Sequence, residues 1–252
     1  MQESMGGPVP AETPPTSGSP EASPRRDAGS PATLDDPRVL QILTTEHWSL
    51  LSARSLVYNE AFSRAGMFLA FLSMSFVALG LVGPAMTFSR DFLLLAAVIL
   101  FFDLVIGLGT LGRIVNANAE DFRAIAGMNR IRHGYVEMAQ AVAPYFVTSI
   151  HDDMRGILVT YGGAEIRRGV AGLAIGLTTT AGMVGTTVSL VAGVLAGVLT
   201  LALVGSAPLA VLLAALAGLA LFAATARYVR GSMVTAATSL TVRFPWTDAH
   251  RG

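Results

Sequence analysis

Residues 92–114 read FLLLAAVILFFDLVIGLGTLGRI. As a helix this stretch is roughly 34 Å long, enough to cross a hydrocarbon core of about 30 Å. It carries one acid, Asp103, near its middle and one base, Arg113, at its end. Apolar stretches lie on both sides of it in the chain. The predicted fold is an all-α integral membrane protein. Four transmembrane helices form two hairpins with a cytosolic helical layer, and residues 92–114 are the second span.

Composition supports that class. The chain is 52% hydrophobic and only 13% charged, with a mean hydropathy of +0.58. Soluble domains carry about 25% charged residues. Formal net charge is zero, so no nucleic-acid partner is expected. All 17 basic residues are arginine. The absence of lysine excludes a Walker A lysine, a Schiff base and a lysine general base. With no cysteine, disulfides, thiolate metal sites and thiol nucleophiles are excluded as well.

Residues 1–36 lack a charged segment followed by an apolar one, so no cleavable signal peptide is expected. They are rich in Pro, Gly, Ser and Ala and are predicted to be a disordered tail. Asp35-Asp36-Pro37 marks a helix start, with proline in the first turn and acids at the positive helix end. Residues 37–65 form an amphipathic pre-membrane helix without a clean apolar stripe. It is expected to lie on the membrane face or pack on the later cytosolic helix. Residues 66–88 are uncharged and form the first span, which completes hairpin one over 66–114. Pro84 bends or ends that span.

Residues 115–168 are polar again and form the cytosolic segment. Asn118 and Asp121 are spaced as a capping pair. Phe122, Ile125, Met128, Ile131, Tyr135, Met138 and Val142 recur at steps of three and four, the signature of one helical face, with Pro144 ending the helix. Residues 169–204 are apolar for about 54 Å of helix, too long for one span. The expected division is a juxtamembrane stretch to about residue 180 and a third span over 182–204. A turn at Gly205-Ser206-Ala207-Pro208 then leads into the fourth span, 209–226. Hairpin two thus covers 169–227, and 228–252 form a cytosolic C-terminal tail.

Arginines set the orientation. Arg54, Arg64, Arg113, Arg123, Arg130, Arg132, Arg167, Arg168, Arg227 and Arg230 flank the spans on one side, and only Arg90 lies on the other. Positive charge is retained on the cytoplasmic side. A multi-pass plasma-membrane protein with both termini cytoplasmic is expected.

Asp103 is the first candidate for chemistry. A carboxylate at the bilayer centre costs about 2.5–3.5 kcal/mol on insertion scales, so it must be neutral, paired or turned into the bundle. Ser73, Ser75, Thr186, Thr187 and Ser189 are its available hydrogen-bond partners. Arg130, His133 and Glu137 share one face of the cytosolic helix and are candidates for binding a protein partner. Gly172, Gly176, Gly193 and Gly197, with Ala210, Ala214 and Gly218, match small-residue spacing for close helix packing, within the chain or in a homo-oligomer. His151 and Asp152 carry metal-ligand chemistry but no supporting spacing, and Asp152-Asp153 more simply caps a helix starting near Met154. No metal site, cofactor or catalytic residue is assigned.

EHWSLLSARSLVYNEAFSRAGMFL (46–69), EDFRAIAGMNRIRHGYVEMA (120–139) and PYFVTSIHDD (144–153) resemble a family of uncharacterised integral membrane proteins from high-GC bacteria. The resemblance implies a bacterial membrane protein and transfers no activity. The architecture is also similar, more distantly, to the SLATT domain, in which a helical hairpin precedes a cytosolic helix. Two functions are expected from the sequence. The first is a non-enzymatic, oligomeric, channel- or transporter-like assembly with Asp103 in its interior. The alternative is a membrane-anchored interaction module that uses residues 39–65 and 116–168. The expected partners are the lipid bilayer and a second copy of the chain; the cytosolic one is not specified.

Overall fold

A computed structural model describes residues 34, 36–162 and 178–247. The disordered-tail expectation and the glycines Gly172 and Gly176 fall outside these residues. The described chain is helical: α1 (Pro37–Ala85), α2 (Arg90–Met138), a short 3-10 helix (Gln140–Tyr145), α3 (Met154–Thr160), α4 (Thr180–Val204) and α5 (Ala207–Thr238). Among the described residues, α1, α2, α4 and α5 are long and apolar enough to cross a membrane. The protein has the all-α membrane fold.

Local signals start each helix. Asp36 caps α1, accepting the Arg38 N–H at 2.9 Å, and Pro37 occupies the first turn. Ser89 caps α2 and Thr179 caps α4 through their hydroxyl oxygens. The turn between α1 and α2 places Thr87 and Phe88 at positive φ. The Phe88 N–H returns to the Gly83 carbonyl at 3.0 Å. The Phe88 ring then lies where a side chain on residue 83 would be, so a larger residue there must displace the ring. Between α4 and α5 the turn is made by Gly205 at φ 73°.

The helices do not stop where the apolar spans do. α1 and α2 each have 49 residues, about 74 Å at 1.5 Å per residue, more than twice a hydrocarbon core. The pre-membrane helix expected over 37–65 is therefore the lower half of α1, continuous with span one. No proline interrupts the junction, and the helix runs on through Gly66. Asn118 and Asp121 cap nothing, because α2 runs straight through them. α2 ends at Met138, six residues before Pro144, so Val142 does not extend its apolar face.

α2 and α4 run antiparallel: Gly107 meets Val188, and Leu111 lies across from Gly185. Both interhelical turns thus sit at one end of the bundle, and the other end is here called the base. Two apolar clusters result. The larger joins α1, α2 and α4 through Phe68, Leu72, Leu100, Leu111, Val188 and Val191. The second lies at the base, where Phe122, Ile125 and Met128 of α2 meet Ile157 of α3 and Ala236 of α5. Outside these clusters the helices expose Phe76, Leu81, Phe101, Val211 and Leu219. Large apolar side chains facing outward along the spans suit hydrocarbon rather than water.

Candidate functional site

Polar groups are layered along the bundle. In the apolar half, Asp103 is fully buried, and its Oδ1 accepts the Ser75 hydroxyl at 3.0 Å. Its Oδ2 is buried without a protein partner. Of the candidate hydroxyls, only Ser75 reaches it. Ser73, Thr186, Thr187 and Ser189 turn back onto carbonyls of their own helices. The Thr186–Phe222 groove between α4 and α5 is apolar apart from Thr186 and Ser189, so it forms no polar path through the bundle.

The small residues of α4 and α5 face one another. A side chain on Gly193 would meet the Ala214 carbonyl at 2.8 Å, and one on Gly197 would meet Ala214 at 3.2 Å and the Ala210 carbonyl at 3.4 Å. A side chain on Gly218 would meet the Ser189 carbonyl at 3.3 Å. Close packing of this kind is what small residues allow between apolar helices. Gly193, Gly197, Ala210, Ala214 and Gly218 are all engaged within the chain.

Where the apolar spans end, charges begin. Arg113 holds Glu60 of α1 through two bonds, 2.7 and 3.2 Å, and Glu120 through a third at 3.0 Å, while Arg64 also holds Glu60. This exposed ladder adds registry more than stability. Below it, Asp121 is 2% exposed. It accepts from Arg54 Nε, from the Tyr58 hydroxyl at 2.9 Å and from the Tyr161 hydroxyl. One carboxylate so ties α1, α2 and the end of α3 together. Burial raises the Tyr161 hydroxyl pKa, and the neighbouring Asp121 carboxylate raises it further.

Asn129 sits one layer down and is fully buried. Its amide donates to the His151 carbonyl at 2.7 Å, and its oxygen accepts from Thr160 and Arg132. A side chain so fully satisfied pins the 146–153 loop to α2. Asp153 caps α3 as expected, accepting the Gly156 N–H at 2.8 Å. Asp152 does something else. It is fully buried and takes Arg130 Nε at 2.6 Å, the Phe244 N–H at 2.8 Å and the Arg243 N–H at 3.0 Å. Burial alone would raise this carboxyl. The two backbone donors and the Arg130 guanidinium outweigh burial and hold it below the usual carboxylate range.

Residues 240–247 therefore dock as a non-helical segment, bent at Arg243 and Phe244, over a cup made by α2 and the 151–155 stretch. The Asp152 N–H donates to the Phe244 carbonyl at 3.3 Å. Arg130 Nη2 donates to the Thr241 carbonyl, and Asp153 accepts the Trp246 N–H at 2.9 Å. Phe244 stacks on His133 with centroids 4.0 Å apart. Trp246 packs on His151 at 4.8 Å and beneath the Arg155 guanidinium at 4.4 Å.

The sequence-predicted interaction residues are thus brought together, but not as a free face. Arg130 and His133 hold the chain's own tail, and Glu137 lies 3.5 Å from His133. His151 and Asp152 face the same tail. Among the described residues no three His, Cys, Asp or Glu side chains gather as metal ligands. Asp121, Asn129, Phe244 and Trp246 are the functional candidates that the sequence reading missed. For Phe244 and Trp246 the Phe-Pro-Trp run inside a polar tail was the one visible signal. Comparison of the chain with protein-family models, with curated proteins and with solved structures finds no match.

Proposed function

We propose that this chain is a multi-pass plasma-membrane protein, both termini cytoplasmic, whose spans anchor an interaction module built at the base. The observation that carries the reading is the distribution of polar structure. The Asp121, Asn129 and Asp152 networks all lie at the base, with Arg54, Arg113, Arg130 and Arg132. Arginine accumulates on the cytoplasmic side of membrane helices. The family-like stretches 46–69, 120–139 and 144–153 also supply much of this base, as a shared module would require. A reporter fused after Gly252 tests the orientation: green fluorescence and inactive alkaline phosphatase are expected. Active phosphatase there overturns the proposal.

Asp103 supports a second reading, in which the chain assembles around an intramembrane proton- or cation-responsive centre. Its buried Oδ2 has no protein partner, and acids in membrane interiors are functional by default. The module reading ranks first because the small residues of α4 and α5 are already engaged within the chain. Proteoliposomes holding wild-type protein or Asp103→Asn are expected to show the same ion leak. A flux present in wild type and absent in Asp103→Asn establishes the second reading instead.

A further inference from the structure

We infer that the cup formed by Arg130, His133, His151, Asp152, Asp153 and Arg155 is a binding site for a non-helical peptide with an aromatic–proline–aromatic core, and that the chain's own tail is its tethered occupant. The inference rests on reading the base as an interaction module.

Three features argue for a site rather than a permanent part of the core. First, recognition is directed at backbone. Asp152 and Asp153 accept the N–H groups of Arg243, Phe244 and Trp246, and Arg130 donates to the Thr241 carbonyl. Residue 245 is the one between Arg243 and Trp246 whose N–H receives no acceptor, and it is proline, which has none to offer. Charge-assisted bonds to main chain bind any segment that adopts this bent course, and the two ring pockets select among them. His133 and His151 accept aromatic faces, and Arg155 adds a cation over the indole.

Second, the cup is assembled without the tail. Asn129 holds the His151 carbonyl and Thr160, Asp153 caps α3, and Ile157 is buried under α2. The tail itself lies on the surface: Thr241, Val242, Arg243, Pro245 and Thr247 are exposed, and Leu240, Phe244 and Trp246 are half-buried. Removing it would leave these contacts in place. Third, the Nδ1 atoms of His133 and His151 are buried without a protein partner. The tail leaves hydrogen-bonding capacity in the cup unused.

A tethered occupant competes at an effective concentration near millimolar, so it masks the site from free peptide until released. The test uses the full chain in detergent micelles and a fluorescein-labelled peptide of residues 240–247. The Phe244→Ala/Trp246→Ala protein, whose tail has lost both anchors, is expected to bind this peptide at least about tenfold more tightly than wild type. A peptide with alanine at both aromatic positions is expected to bind neither protein. Should the double variant fold poorly, Trp48→Phe leaves Trp246 as the single indole. Titration with a peptide carrying Phe in place of Trp is then expected to shift its emission to the red as the tail leaves. No binding to the double variant, together with no emission shift, overturns the inference. That result with a cytoplasmic C-terminus removes the peptide site alone. Binding with an extracytoplasmic C-terminus keeps the site and removes the module reading.

Discussion

Asp121→Ala is expected to destabilise the protein by about 3–5 kcal/mol, the cost of leaving a buried charge network without its centre. In a chain of this size that corresponds to a fall in Tm of about 10 °C or more. The Asp121 carboxylate is almost completely enclosed and serves Arg54, Tyr58 and Tyr161 at once. Removing it strands a guanidinium and two hydroxyls in a space that apolar neighbours also occupy. Two companion variants separate the contributions. Tyr58→Phe and Tyr161→Phe each delete one donor while the other two remain, so each is expected to lose about 1.5 kcal/mol. Glu60→Ala, in the exposed ladder one layer nearer the spans, is expected to change little. Melting curves in one detergent decide the matter. An Asp121→Ala protein that melts within a degree or two of wild type would mean that the network is incidental.

That centre was hard to see in the sequence, and the reason is physical. An acid three residues after an asparagine is the composition of a helix cap, and nothing local distinguishes it from an acid in mid-helix. What decides is a partner 67 residues away, Arg54. The same partner explains why 37–65 shows no clean apolar stripe. The lower half of α1 joins α2 partly through Arg54, Tyr58 and Glu60, so charged and aromatic groups stand where a stripe would place leucine. The spans were legible because hydrocarbon imposes a long uncharged run on any helix that crosses it. The third is expected over 182–204, and the helix covers Thr180–Val204. That Asp103 would take a hydroxyl from another span was also legible, but not whether from span one or span three; of the five named hydroxyls it is Ser75. The tail cup was not, because Asp152 and Asp153 hold backbone N–H groups, which every sequence except proline supplies.

Gly193→Leu carries the other large expectation. The two readings of the small residues, packing within the chain or a seam between copies, give opposite results for this variant. A Cβ at position 193 would stand 2.8 Å from the Ala214 carbonyl, which is backbone and cannot rotate away. A leucine there must drive α4 and α5 apart. Overpacking of a close interface costs typically 1–3 kcal/mol, and a bulky side chain against main chain belongs at the upper end or above. The expected result is a loss of about 3 kcal/mol in stability with no change in oligomeric state. Gly197→Ala, whose nearest neighbour is the Ala214 methyl at 3.2 Å and not a carbonyl at 2.8 Å, is expected to lose less. Gly112→Ala, with open space around it, is expected to be neutral or to gain up to about 1 kcal/mol, since alanine is the better helix former. Melting curves and size-exclusion chromatography on the three proteins read both quantities. If Gly193→Leu instead separates an oligomer into stable, fully folded subunits, the small residues form a seam between copies. The assembly around Asp103 then regains first place.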